Sequence, residues 1–268
     1  MIKKIYCIFI ICARVQAIEV SLTSEQFKSV GNLLWQRECN KSVLGLTSWN
    51  KGETFPSLGI GHFIWYPSGQ AALYKETFPS LISFLHEHKI KIPLWLSQAI
   101  KTGCPWSGRE SFLADLYSKR MIELRSLLQS TIDLQAQFVV KRFLISRDAL
   151  MDAVAPEQRQ HIAQQFDRMV QTVQGIFALI DYVHFKGEGI QITERYAGKG
   201  WGLLQVLEQM HGTSKESAVS DFIKEAKKIL QQRVMLSPPE KGEKRWLAGW
   251  INRVESYKLQ NQIQDHHI

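Results

Sequence analysis

The chain runs to 268 residues, 45% of them hydrophobic and 22% charged, with a formal net charge of +8. Roughly 250 residues beyond a short leader can bury a sizeable core, and the lack of internal repeats or long Gly-, Pro- or Ser-rich linkers excludes a repeat array and predicts one domain, residues 18–268, with two lobes. No set of His, Cys and acidic side chains has metal-ligand spacing, so neither a metal nor another cofactor is expected.

Residues 1–17 carry a basic start at Lys3 and Lys4, an apolar stretch over 5–13 and a Val15-Gln16-Ala17 ending. This is a signal-peptide pattern, although Val15 is larger than the small residue such cleavage sites favour. The apolar run is shorter than the ~20 residues of a membrane span, so no lasting membrane insertion is expected; an uncleaved anchor is the alternative. Export to the periplasm or beyond removes Lys3, Lys4 and Arg14, which lowers the formal charge from +8 to +5. The remaining basicity suits attraction to anionic polymers, cell-wall glycans among them. Cys7 and Cys12 leave with the leader, and an oxidising compartment permits Cys39 and Cys104 to pair. Spacing alone does not say whether these two thiols meet.

Residues 24–38 predict an amphipathic helix. Thr23 and Gln26 fit a capping box, and Phe27, Val30, Leu33 and Leu34 cluster on one face at about 100° per residue. Glu38 projects from that same face, where desolvation disfavours the charged form of a carboxyl group and suits it to general acid work near neutral pH. The alternative is a Glu that ends the helix and turns out to solvent. Downstream, short apolar runs broken by Asn50-Lys51-Gly52 and closed by Pro67-Ser68-Gly69 predict a small antiparallel hairpin sheet. Gly59 and Gly61 permit close approach of a ligand or another backbone. With no glycine at 64, the pair is not a dinucleotide fingerprint.

Glu38 followed by Ser57-Leu58-Gly59-Ile60-Gly61-His62 resembles the phage-type lysozymes, whose catalytic Glu ends a helix and whose hairpin closes on Thr-Ile-Gly-Ile-Gly-His. Glu38 with Asn40, Ser42 and residues 52–61 is also similar to the chitosanases, and residues 49–66 resemble the deacetylation-specific lysozymes. The resemblance covers about residues 35–67. It implies an α+β fold, predominantly helical and bilobal, with the small hairpin sheet lining a cleft. It also implies a glycosidase that acts on peptidoglycan or a related amino-sugar polymer, without nucleic acid and as a monomer. Those lysozymes and chitosanases have an Asp where this chain has Lys51 and Gly52, which puts the second carboxylate in doubt. Glu53 is the nearest acid and serves that role or is a solvated turn residue. Glycosidases set their two carboxyl groups roughly 5 Å apart for retention and about 6.5 to 9.5 Å apart for inversion. Ser57 takes the place of the family's water-orienting Thr, and its hydroxyl can hold a nucleophilic water. A single-acid site would also suit a lytic transglycosylase, and a non-catalytic glycan-binding protein could keep the same fold.

Around the hairpin, Trp49, Phe63, Trp65 and Tyr66 offer flat surfaces for sugar stacking, with Asn50 as a polar neighbour. Strand alternation puts Phe63 and Trp65 on one face and Ile64 and Tyr66 on the other, so at least one face should be core. His62 contacts substrate or is a hydrogen-bonded structural histidine.

Beyond Phe78 the chain predicts a helical body. Ser107 and Glu110 form a capping-box signature ahead of Phe112, Leu113, Leu116 and Met121, with apolar periodicity onward to Phe143. Pro156 suits the first turn of a helix with Phe166, Met169, Val170, Val173, Ile176, Phe177 and Ile180 on one stripe. Glycines at 187, 189, 198, 200 and 202 predict an irregular loop that gives way to a helix carrying Leu203, Val206 and Leu207. Tyr196-Ala197-Gly198 resembles the Tyr-Asn-Ala-Gly loop of lytic transglycosylases, which implies that Tyr196 orients Glu38; the alternative packs Tyr196 against Trp201. Glu188 and Glu194 could favour a cationic glucosamine. The stripe of Trp246, Trp250, Val254 and Tyr257 predicts helix packing, and the tail over 258–268 is polar.

Overall fold

The computed structural model describes residues 22–70 and 74–258. The expected leader, with Cys7 and Cys12, and the tail from 259 onward lie outside the described residues.

The first helix forms where its cap and apolar spacing require it. In α1 (Ser24–Cys39) the Thr23 hydroxyl accepts from the Gln26 amide, and the Gln26 side chain accepts from Thr23 N–H at 2.8 Å. Val30, Gly31 and Leu34 are buried on its inner face. A side chain at Gly31 would come within 2.9 Å of Ile132, so glycine there lets a second helix lie close. At the other end Asn40 takes a left-handed conformation, φ 49°, and returns its N–H to Gln36, which stops the helix just past Glu38.

Three two-residue strands follow: β1 (Thr47–Ser48), β2 (Ser57–Leu58) and β3 (Phe63–Ile64). They pair antiparallel in that order, Ser57 opposite both Ser48 and Ile64 and Leu58 opposite Thr47 and Phe63. The β2–β3 turn depends on Gly59. Its φ is +69°, and a side chain there would meet Gln135 Oε1 at 2.3 Å. The same Gln135 oxygen accepts from the Ile60 amide at 3.0 Å. We expect Gly59→Ala to cost about 2 kcal/mol in urea unfolding, since the left-handed conformation alone costs a non-Gly residue roughly 1–2 kcal/mol. A change below about 0.5 kcal/mol would mean that the turn relaxes without Gln135.

Helices make up most of the remainder: α2 (Phe78–Glu87), α3 (Leu94–Ala99), α4 (Arg109–Ala114), α5 (Lys119–Ser130), α6 (Ile132–Asp152), α7 (Pro156–Met169) and α8 (Val173–Lys186). A second small ribbon, β4 (Arg195–Tyr196) with β5 (Lys199–Gly200), precedes α9 (Leu203–Gln209), α10 (Ala218–Leu236) and α11 (Leu247–Glu255). The protein is thus α+β, mainly helical with small antiparallel sheets. One apolar cluster runs from Val30 to Tyr257, and α1 packs chiefly on α6 and α8.

Several boundaries depart from the sequence-based expectations. Gly108, not Ser107, caps α4, because the Ser111 hydroxyl reaches the Gly108 amide at 3.2 Å. The periodic stretch up to Phe143 divides into α4, α5 and α6. The helix expected from Pro156 to Ile180 is two helices, since Thr172 turns extended and its hydroxyl caps Gly175 at 3.0 Å. Periodicity survives such breaks because both halves bury the same side. In the C-terminal stripe Val254 and Tyr257 are buried, whereas Trp246 is exposed. Among the described residues no helix is long and apolar enough to cross a membrane.

Candidate active site

Elements far apart in sequence converge on Glu38. Its side chain is 17% exposed, with Oε2 3.5 Å from His62 Nδ1 and Oε1 3.6 Å from Arg253 Nη2. His62 stands on the β2–β3 turn in a left-handed conformation, φ 46°, and Arg253 comes from α11.

Beneath this group lies Asp181 of α8, a carboxylate with no solvent exposure. A buried charge persists only with donors around it. Arg253 Nε and Nη2 donate to Asp181 at 2.9 and 2.7 Å, the Tyr257 hydroxyl donates at 2.6 Å, and Arg37 Nε stands 3.4 Å away. Burial alone would lower the proton affinity of Arg253, but the hydrogen bonds and charge of Asp181 outweigh it and hold the guanidinium above its usual value. Burial, reinforced by Asp181, raises the Tyr257 phenol well above its own.

His184 follows Asp181 by three residues on α8 and so shares its face. It is exposed by surface area yet crowded by neighbouring atoms, as a residue at the wall of a concavity would be. That crowding lowers its proton affinity; Glu38 and Asp181 pull the other way, while His62 and Arg253 add to the lowering. A cavity of about 180 Å³ opens there between the hairpin turn, α6 and α8, lined by Gly61, Phe63, Arg142, His184 and Glu188 among others. A larger groove, about 640 Å³, lies between the start of α7, the β4–β5 ribbon and α10, but it holds none of the Glu38 group. The smaller cavity is tied to Glu38 through His184, the lining residue on which the charges of Glu38, Asp181, His62 and Arg253 act.

Of the residues expected from the sequence, Glu38 and His62 meet, and Glu188 lines the adjoining cavity. Glu53 belongs to the β1–β2 connection, at the opposite end of β2 from the turn that carries His62. The charges acting on His184 are Glu38, Asp181, His62 and Arg253, and Glu53 is not among them. One Glu53 carboxylate oxygen is buried with no hydrogen-bond partner. Ser57 is buried in β2, where its carbonyl accepts from the Ser48 hydroxyl at 3.3 Å.

The expected aromatic platform is core instead. Trp65 has no exposure and packs on Phe78 and Trp106, Trp49 meets Phe112 edge-on and donates its indole N–H to the Glu53 carbonyl, and Tyr66 is buried against Phe55. Both faces of the hairpin sheet are thus covered, so these rings offer no open stacking surface. Asn50 is exposed at the β1–β2 connection. Tyr196 does not orient Glu38: its hydroxyl donates to Glu243 at 2.9 Å, and its ring lies 4.5 Å from that of Trp201. Arg233 also binds Glu243, which lowers the proton affinity of that carboxylate and fixes the tyrosine there. Glu194 is a loop brace whose carboxylate accepts from Gly189 and Gln191 amides.

Cys39 and Cys104 are both free and buried. Burial pushes each thiol up to about 12, with the neighbouring Glu38 adding to the effect at Cys39. Neither is a thiolate at neutral pH. Among the described residues no group of three or more His, Cys, Asp or Glu is placed to hold a metal ion.

Sequence reasoning missed Asp181, His184, Arg142 and Arg253. A signal for the first was present: Asp181 interrupts the apolar run Gly175-Ile176-Phe177-Ala178-Leu179-Ile180, and an acid within such a run requires a partner. No family model, no curated protein and no solved structure matches this chain.

Proposed function

We propose that this protein is a glycosidase that cleaves β-1,4 bonds of peptidoglycan, with Glu38 as the general acid. The observation that carries the reading is the setting of Glu38: a mostly covered carboxylate at a helix end, against a glycine-bordered hairpin turn and beside a cavity. The reading takes the fold as lysozyme-like and bilobal, and takes residues 1–17 as an export signal that delivers the enzyme to the periplasm or outside the cell. Glu188, on the cavity wall, is the carboxylate that would attract the ammonium of an N-deacetylated sugar, against the opposing charge of Arg142. Fold alone would not justify this function.

The test is mass spectrometry of products from purified protein on matched acetylated and chemically deacetylated peptidoglycan. Soluble fragments with reducing ends, richer from the deacetylated substrate, are the expected result. Binding without fragments would favour a glycan-binding protein and sink the enzyme reading.

One observation favours a second reading, a lytic transglycosylase. Asp181, the carboxylate that shares Arg253 with Glu38, is fully engaged by its donors, so it does not serve as the second carboxylate. An enzyme of that kind uses the substrate's own hydroxyl and leaves anhydro ends. In either case Glu53→Gln is expected to keep cleavage and to lose no stability, because the amide relieves a buried carboxylate oxygen without a donor. A loss of about 100-fold, the scale of a missing acid or base, would restore Glu53 as the second carboxylate of a hydrolase.

A further inference from the structure

We infer that His184 is the base of this site: it takes the proton from the nucleophile's O–H while Glu38 gives one to the leaving oxygen. The inference rests on the glycosidase reading and supplies the group which that reading lacks. When water attacks a glycosidic carbon, one proton must reach the leaving oxygen and another must leave the nucleophile. Asp181 cannot remove it, because Arg253, Tyr257 and Arg37 surround a carboxylate that solvent does not reach. Glu53 lies on the β1–β2 connection and is not among the charges that act on His184.

His184 has the opposite properties. It is exposed, it lines the cavity beside Gly61, and no hydrogen bond within the described residues occupies its ring nitrogens. The ionisable groups that face it come from every surrounding element: Glu38 of α1, His62 of the turn, Asp181 of its own helix and Arg253 of α11, with Arg142 of α6 and Glu188 on the same cavity wall. Atomic crowding lowers its proton affinity, so at neutral pH the imidazole is in the neutral form that can accept a proton.

The step balances with water alone. The water O–H bond breaks as its oxygen bonds to the anomeric carbon, and that proton passes to a His184 nitrogen. The bond from the anomeric carbon to the leaving oxygen breaks, and the departing electron pair takes the proton of Glu38. Exchange with solvent then removes the proton from His184 and returns one to Glu38.

The experiment follows reducing ends released from peptidoglycan by His184→Ala across a pH series. We expect kcat to fall about 100-fold or more, with glycan binding and melting temperature unchanged. The acid limb of the wild-type profile should vanish, and added imidazole should restore part of the rate. If the Ala variant fails to fold, His184→Gln, which keeps the volume, replaces it in the same assay. Wild-type kcat and an unchanged acid limb in the variant would overturn the inference and leave the glycosidase reading intact. A fall in rate that neither imidazole nor pH modifies would also overturn it, since that is the behaviour of a residue that only shapes the cavity. A wild-type protein that releases no fragments would sink both together.

Discussion

Glu38→Gln is expected to lower peptidoglycan cleavage by about 10² to 10⁴, the usual contribution of a positioned general acid. Glutamine keeps the shape of the side chain and can still approach His62 Nδ1, which stands 3.5 Å from Glu38 Oε2. What it loses is an exchangeable proton for the leaving oxygen. The fold should not suffer: Arg253 keeps its paired hydrogen bonds to Asp181 at 2.9 and 2.7 Å, so no guanidinium is orphaned by the change. Rate and stability therefore separate in this variant, with product release nearly abolished while melting temperature and glycan binding hold. Cleavage within a few-fold of wild type would remove Glu38 from the chemistry and with it the proposed function.

Asp181→Ala should act in the other direction, on stability first. Breaking a buried ion pair by deleting one partner typically costs about 3–5 kcal/mol, because the remaining charge is left uncompensated. Here three donors lose their acceptor at once: the Arg253 guanidinium, the Arg37 guanidinium and the Tyr257 hydroxyl. Tyr257 is fully buried and cannot turn to water. Equilibrium urea unfolding should show the loss as a lower midpoint. Cleavage should fall as well, since Arg253, freed from Asp181, is 3.6 Å from Glu38 and can bind it directly. Asp181→Asn, which keeps an acceptor oxygen, should lose less than Asp181→Ala. A loss below about 1 kcal/mol for the Ala variant would mean that the three donors find other partners, and the description of this network would be wrong.

The local signals in the sequence were dependable wherever the structure is local. Thr23 and Gln26 predicted a capped helix because both partners of the box lie within one turn. Strand alternation put Phe63 and Trp65 on one face, with at least one face expected to be core, and both residues are core. Gly202 preceding Leu203 marked the start of α9. Aromatic type was a poorer guide, because Trp49 and Trp65 can stack on a sugar or fill a core and the choice depends on what covers them. Phe78, Trp106 and Phe112, all distant in sequence, cover them here. The motif offered Tyr196 either to Glu38 or to packing against Trp201; it packs on Trp201, and Glu243 is the carboxylate that the packing of α10 and the C-terminal segment brings within reach.

By itself the sequence determined the helical body and the small antiparallel hairpin, which follow from periodicity, capping and turn chemistry over short spans, while the association of Glu38 with the Gly59-to-His62 turn was what the lysozyme resemblance implied. Only the tertiary structure decided what surrounds Glu38. Asp181, His184 and Arg253 lie on α8 and α11, and they reach Glu38 because those helices bury their apolar faces against a common core. That arrangement depends on long-range packing, in which a charged residue's partner is chosen by which surfaces come together and not by its neighbours in the chain.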